Sequence, residues 1–296
     1  MTRRHFAIGN IRFALEYDPA PREILVHPAL ESFSVDAPAA EPDIVFAVDP
    51  DPASPDFTGM RQLFSTGPEG LWSVWEDPDQ RGYTIALQND EEPVPNRIVR
   101  TDRSFSRCTI IETEDRRTVY PLGYPLAEMV LMAHANINRV GVVFHSACIV
   151  LDGKGYLFAG ISGAGKSTIS QIWLEEGSAE VLTDERVLVR EEDGALMAYG
   201  TPWHGTANIH KNKGAPIAAI FFIMHGDGNR CRPIAPKEAT NQLLLRSFPT
   251  FWHPGGMQNA IDFCIRTATS TPCLELDFLP DPSITEYVKD YIESTL

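Results

Sequence analysis

Apolar and polar residues alternate in short runs over the first 120 residues, and the period changes after that. In residues 5–17, Phe6, Ile8, Ile11, Phe13 and Leu15 mark two strands around a Gly9-Asn10 turn. Short strands are predicted at 23–27 and 43–48. Residues 49–55, rich in Asp and Pro, form a loop. Residues 71–75 and 83–88 read as a hairpin around 77–82, and 96–100 with 105–112 as a further pair. Residues 125–139 switch to helical spacing, with Pro125 in the first turn and Gly141 past the end. The pattern predicts a β-rich N-terminal domain over 1–120, serving as an accessory or substrate-binding module. A second domain follows over 121–296, entered through a linking helix at 125–139.

In the second domain, residues 142–151 form a strand, and Asp152-Gly153 gives the two-residue hairpin signal. The return strand, 155–159, is apolar throughout. A helix is predicted over 168–176 with Gly177 as its stop. Further strands are expected at 179–183, 186–189, 196–199, 217–224 and 274–278. Helices are expected at 236–247, 259–267 and 283–294. The fold class is therefore α/β with a mixed sheet.

Between the return strand and the helix lies Gly160-Ile161-Ser162-Gly163-Ala164-Gly165-Lys166-Ser167-Thr168. It fits the phosphate-loop pattern G-x-x-x-x-G-K-[ST] in the strand–loop–helix context that pattern requires. Glycines let successive backbone N–H groups turn onto phosphate oxygens, and the helix N-terminus adds partial positive charge. Lys166 reaches the β- and γ-phosphates, and the Ser167 hydroxyl is placed to ligate Mg²⁺. ATP is the expected nucleotide, held by Gly160, Ser162, Gly163, Ala164, Gly165, Lys166, Ser167 and Thr168.

Two further features converge on this loop. Counting across the hairpin puts His145 opposite or just beyond Gly160. The strand after the helix ends in Asp184-Glu185, where a carboxylate can complete a magnesium shell. His204, Lys211 and Lys213 are candidate contacts to phosphate or substrate. Trp72 and Trp75 could mark a ligand surface, although aromatics in a sheet are more often core.

Composition narrows the function classes. The net charge of −15 argues against nucleic acid and anionic membranes as partners. No apolar run approaches a membrane span, and residues 1–6 carry arginines with no apolar stretch behind them, so the cytoplasm is the expected location. Five cysteines without C-x-x-C spacing argue against a disulfide framework and a Cys-rich zinc site.

The order of a histidine strand, a D-G hairpin, G-x-S-G-x-G-K-S, one helix and then T-D-E-R-V resembles the catalytic domain of the HPr kinase/phosphorylase family and its HPr-kinase-like relatives. The resemblance covers residues 140–225. It implies a P-loop kinase fold in which Asp184, with His145 assisting, deprotonates a serine hydroxyl while Glu185 and Ser167 hold Mg²⁺. Lys166 offsets charge on the transferred group. The family's Glu-x-Arg-Gly signature has no counterpart here, and residues 200–205 and 208–214 stand in its place. The implied activity is ATP-dependent transfer of the γ-phosphate to a serine of a protein or peptide. A homo-oligomer is compatible with it. The alternatives are a P-loop ATPase or nucleotide switch, a small-molecule hydroxyl kinase, and a non-catalytic ATP-binding module. The N-K-x-D motif that a nucleotide switch would use is absent.

Overall fold

The computed structural model describes residues 1–20, 22–67, 71–88 and 95–295. The chain is mixed α/β and divides into two compact units, Met1–His134 and Ala135–Leu296.

The first unit contains β1 (Thr2–Ile8), β2 (Ile11–Tyr17), β3 (Glu23–Ile24), α1 (Pro28–Glu31), β4 (Ile44–Val48), β5 (Arg61–Ser65), β6 (Trp72–Glu76), β7 (Gly82–Leu87), β8 (Arg97–Asp102), β9 (Arg107–Glu112) and β10 (Thr118–Val119). Eight of these strands form one sheet in the order β1-β2-β4-β9-β8-β7-β6-β5, and β10 pairs with β3. Gly9 and Asn10 both have positive φ, and Ile8 faces Ile11 across them, as the Gly-Asn signal requires. The strand expected at 23–27 stops at Ile24, because Pro28 opens α1. The alternation did not mark β5, whose residues are mostly exposed. Trp75 stacks on Phe57 at 4.7 Å and Trp72 lies 4.7 Å from Phe64, so both indoles have aromatic packing partners.

The linking helix is α2 (Leu126–Ile137), and the division between the units runs through it. Pro125 stands just ahead of it rather than in its first turn.

The second unit holds β11 (Val142–Leu151), β12 (Lys154–Ala159), α3 (Lys166–Glu176), β13 (Glu180–Thr183), β14 (Arg186–Glu192), β15 (Ala195–Gly200), β16 (Gly214–His225), β17 (Arg230–Pro233), α4 (Pro236–Leu245), α5 (Pro254–Ser270), β18 (Cys273–Phe278) and α6 (Ser283–Thr295). Two strands are long enough to serve two ladders. The first half of β11 pairs with β14, and its second half with β12 and β13. The first half of β16 pairs with β15, and its second half with β12 and β18. β12 therefore lies between β11 and β16, antiparallel to one and parallel to the other.

Alternation along these strands divides the core into two layers. Leu157, Ala159, Ile220 and Phe222 face α4 and α5 through Leu243, Ala260 and Phe263. Tyr156, Phe158, Phe221 and Ile223 face α3 and α6 through Ile169, Trp173, Ile284 and Val288. Helices cover both faces, and the loop after β12 emerges at the carboxyl end of a central strand, where α/β sheets bind ligands. α5 is longer than the expected 259–267. Pro254 begins it despite Gly255-Gly256, and the His253 ring accepts the Gly256 N–H at 2.9 Å as a cap.

Candidate active site

Asp152 and Gly153 both take positive φ in the two-residue turn that pairs Leu151 with Lys154. From that turn the register runs down to Ser146 opposite Ala159. The next pair is His145 and Gly160, joined by a Gly160 N–H bond to the His145 carbonyl at 3.2 Å. The strand pairing thus carries His145 to the start of the glycine-rich loop at 160–168.

Gly163 and Gly165 adopt φ of 79° and 101°, which side chains other than glycine rarely take. Gly165 is the N-cap of α3, two residues earlier than the spacing suggested, and no side chain caps the helix there. Its first N–H groups are left for an anion. Ser162, Gly163 and Thr168 are exposed, and Ala164 is buried in the α3-side core. Gly177 ends α3 in the left-handed conformation, its N–H bonded to the Trp173 carbonyl.

Lys166 is buried at 5% exposure and folds back on its own loop, donating to the Gly160 carbonyl at 3.1 Å and the Ile161 carbonyl at 3.2 Å. Burial pushes its ammonium down to about 8, with Glu185 and Asp184 opposing and Arg186 and Arg246 reinforcing the shift.

The adjacent carboxylates at the end of β13 face different partners. Asp184 is fully buried and accepts three bonds: the Ser167 hydroxyl on Oδ2 at 2.8 Å, the Ala207 N–H on Oδ2 at 3.0 Å, and the Gly205 N–H on Oδ1 at 2.9 Å. Glu185 accepts His145 Nε2 at 2.9 Å and Arg186 Nη1 at 2.6 Å, both on Oε1. His145 therefore meets Glu185 rather than Asp184. Burial raises the Glu185 carboxyl, but the bond from His145 and the charges of His145, Arg186 and Lys166 outweigh it and hold it at about 2.

No sequence motif singles out Gly205. A Cβ placed there would stand 2.6 Å from Asp184 Oδ2, 2.9 Å from Ser167 Oγ and 3.1 Å from Glu185 Oε2. Three hard oxygens thus converge beside Gly205, where any side chain would crowd them. Two carboxylates and a hydroxyl suit magnesium, which keeps its remaining positions for phosphate and water. Among the described residues no three His, Cys, Asp or Glu side chains cluster as a metal site on their own.

Other candidates lie off this centre. His204 donates to the Gly205 carbonyl at 3.0 Å, and its ring is 5.1 Å from that of His210. Lys211 and Lys213 both pair with Glu180 Oε1, at 3.0 and 2.8 Å. All five cysteines are free. Burial pushes each thiol up to about 12, which makes them poor nucleophiles.

The His145-Ser146 backbone ties the site together. The His145 N–H bonds to the Arg246 carbonyl at 2.6 Å, the Ser146 N–H to the Glu185 carbonyl at 3.1 Å, and the His145 carbonyl receives Gly160. Phe248, bonded through its N–H to the Val143 carbonyl, brings its ring 5.9 Å from His145 and 4.3 Å from the Arg186 guanidinium. No helix among the described residues is long and apolar enough to cross a membrane.

No protein-family model matches the chain, and no curated protein matches it. Among solved structures, the Hpr(Ser) kinase/phosphatase from Coxiella burnetii is similar over 51% of this chain and 99% of that chain, at 12% identity and a TM-score of 0.30.

Proposed function

We propose that the second unit is an ATP-dependent phosphotransferase that moves the γ-phosphate to a hydroxyl. The observation that carries this is the oxygen cage of Ser167, Asp184 and Glu185 beside the loop of Lys166, with His145 on the other oxygen of Glu185. A bare nucleotide-binding module has no use for a histidine placed there.

In this reading residues 160–168 hold the triphosphate, and Lys166 leaves its two carbonyls to bind phosphate oxygens. Ser167, Asp184 and Glu185 would hold magnesium, which would supply positive charge against the β- and γ-phosphates. The proton acceptor is reassigned. Asp184 spends its oxygens on three donors, and Glu185, held at about 2, is a weak base. The His145 ring, donating from Nε2 to Glu185, keeps Nδ1 to take the hydroxyl proton. Glu185 orients that ring as a carboxylate orients the histidine of a hydrolase triad. The acceptor we assign is a serine of a protein or peptide, a choice supported by the motif order alone.

The test pairs Asp184→Asn with His145→Gln. Asp184→Asn is expected to weaken magnesium-dependent ATP binding at least tenfold by calorimetry. His145→Gln is expected to bind Mg·ATP within about threefold of the parent yet transfer phosphate about 10²- to 10⁴-fold more slowly, the usual range for a general base. If Asp184→Asn binds Mg·ATP normally and only transfer is lost, Asp184 is the base. If the parent transfers phosphate to no hydroxyl acceptor, whether serine peptide or small alcohol, the kinase reading fails.

A further inference from the structure

Two cations are buried in the second unit with no ion pair to either among the described residues. One is Lys166, already placed in the loop. The other is Arg246, at the C-terminal end of α4, 6% exposed. In a chain of net charge −15, acids are plentiful, and most other arginines pair with one. A buried charge with no counter-charge is expensive, so a site that keeps two of them is built for an anion from outside.

The position of Arg246 says which anion. Its carbonyl accepts the His145 N–H, and the His145 carbonyl accepts the Gly160 N–H, so Arg246, His145 and Gly160 lie in one row across the sheet. That row spans two strand spacings, about 10 Å. The guanidinium lies 5.4 Å over the ring of Phe222, the register partner of Ala159, which immediately precedes the loop. Only Nη1 is engaged, with the carbonyl and the side-chain oxygen of Gln242. Nε is buried without a partner among the described residues. Burial lowers the guanidinium's affinity for its proton, with Glu275 opposing, and Glu275 is itself bonded by Arg232. Lys166 and Arg246 are close enough that the charge of Arg246 helps depress Lys166.

Resting on the phosphotransferase reading above, we propose that Arg246 is a second phosphate-binding cation of the site, whose free guanidinium nitrogens engage the terminal phosphoryl group during transfer. In that step the bond between the γ-phosphorus and the β–γ bridging oxygen breaks, with its electron pair leaving on ADP. A bond from the acceptor oxygen to the γ-phosphorus forms, and the hydroxyl proton passes to His145. Arg246 gives and takes no proton. It stabilises the three equatorial oxygens, the role an arginine supplied in cis or in trans plays in other phosphoryl transfers.

The experiment compares ADP with the non-hydrolysable analogue AMP-PNP, both with magnesium, on the parent, Arg246→Lys and Arg246→Met. Both variants are expected to bind ADP within about twofold of the parent, lose the parent's preference for AMP-PNP, and transfer phosphate about 10³-fold more slowly, the scale of a removed arginine. Because these variants remove packing over Phe222, the parent supplies an independent arm. The Arg246 Nε–H resonance should move with AMP-PNP and stay in place with ADP. An unchanged AMP-PNP preference in folded variants, or a resonance unmoved by bound AMP-PNP, overturns the inference and leaves the phosphotransferase reading standing. A parent that binds neither nucleotide overturns both.

Discussion

Gly205→Ala is expected to leave the fold intact and reduce phosphoryl transfer at least about 100-fold. The φ of Gly205 lies outside the left-handed region, so alanine meets no backbone penalty there. The new methyl would stand 2.6 Å from Asp184 Oδ2, and Asp184 cannot swing away freely because the Gly205 and Ala207 N–H groups clamp it. The methyl pushes on the three oxygens that converge beside Gly205, and a misplacement near 1 Å costs about 100-fold in rate. The readouts are the melting temperature, expected to stay within a few degrees, the magnesium dependence of ATP binding, expected to vanish, and the transfer rate. A Gly205→Ala protein as active as the parent would show that the cage is not where the cation sits.

The second large effect is on pH. The Lys166 ammonium, pushed down to about 8 in the free protein, loses its proton as pH rises through that value, well below the ordinary lysine range. A bound triphosphate favours the charged form and restores the proton. Binding below pH 8 therefore finds lysine already charged, whereas binding above it must take up a proton. ATP affinity should be flat from pH 7 to 8 and then fall about tenfold per unit toward pH 10. Glu185, ionised at every pH above about 2, contributes nothing to that slope. Calorimetry at pH 9 in buffers of different ionisation enthalpy should report close to one proton taken up. Lys166→Met should bind ATP about 10- to 100-fold more weakly, the worth of charged hydrogen bonds in a buried site, and show no slope above pH 8. A parent whose affinity is level from pH 7 to 10 would refute the role given to Lys166.

Much of the site was legible because its parts are local or strictly periodic. The limits of β11 follow from the alternation and the Asp-Gly turn, and counting residues across that turn places His145 at Gly160. Gly163, Gly165 and Gly177 are needed where the sequence puts them, for their backbone angles. The division of labour between Asp184 and Glu185 was not legible. Neighbours at a strand end face opposite ways, and which one meets His145 depends on how β13 and β14 pair with β11, including a register shift at Cys148/Ile149. Gly205 and Arg246 were missed for a related reason. Each reaches the site through tertiary packing, from residues 200–214 and from the end of α4, and no spacing reports such a return. β17 escaped notice because Arg230, Arg232 and Pro233 carry no apolar alternation.

The sharing of β11 between two ladders bears on how the site can come apart. His145 is the last residue paired with β14, and Ser146 the first paired with β12. Fraying one edge of the sheet therefore cannot release the histidine while the other ladder holds. Amide protons at His145 and Ser146 should exchange with deuterium only through global unfolding, whereas those of the exposed loop at Ser162 and Gly163 should exchange by local opening. The candidate site would then combine the slowest-exchanging backbone of the unit with some of its fastest, a rigid histidine beside an exposed loop.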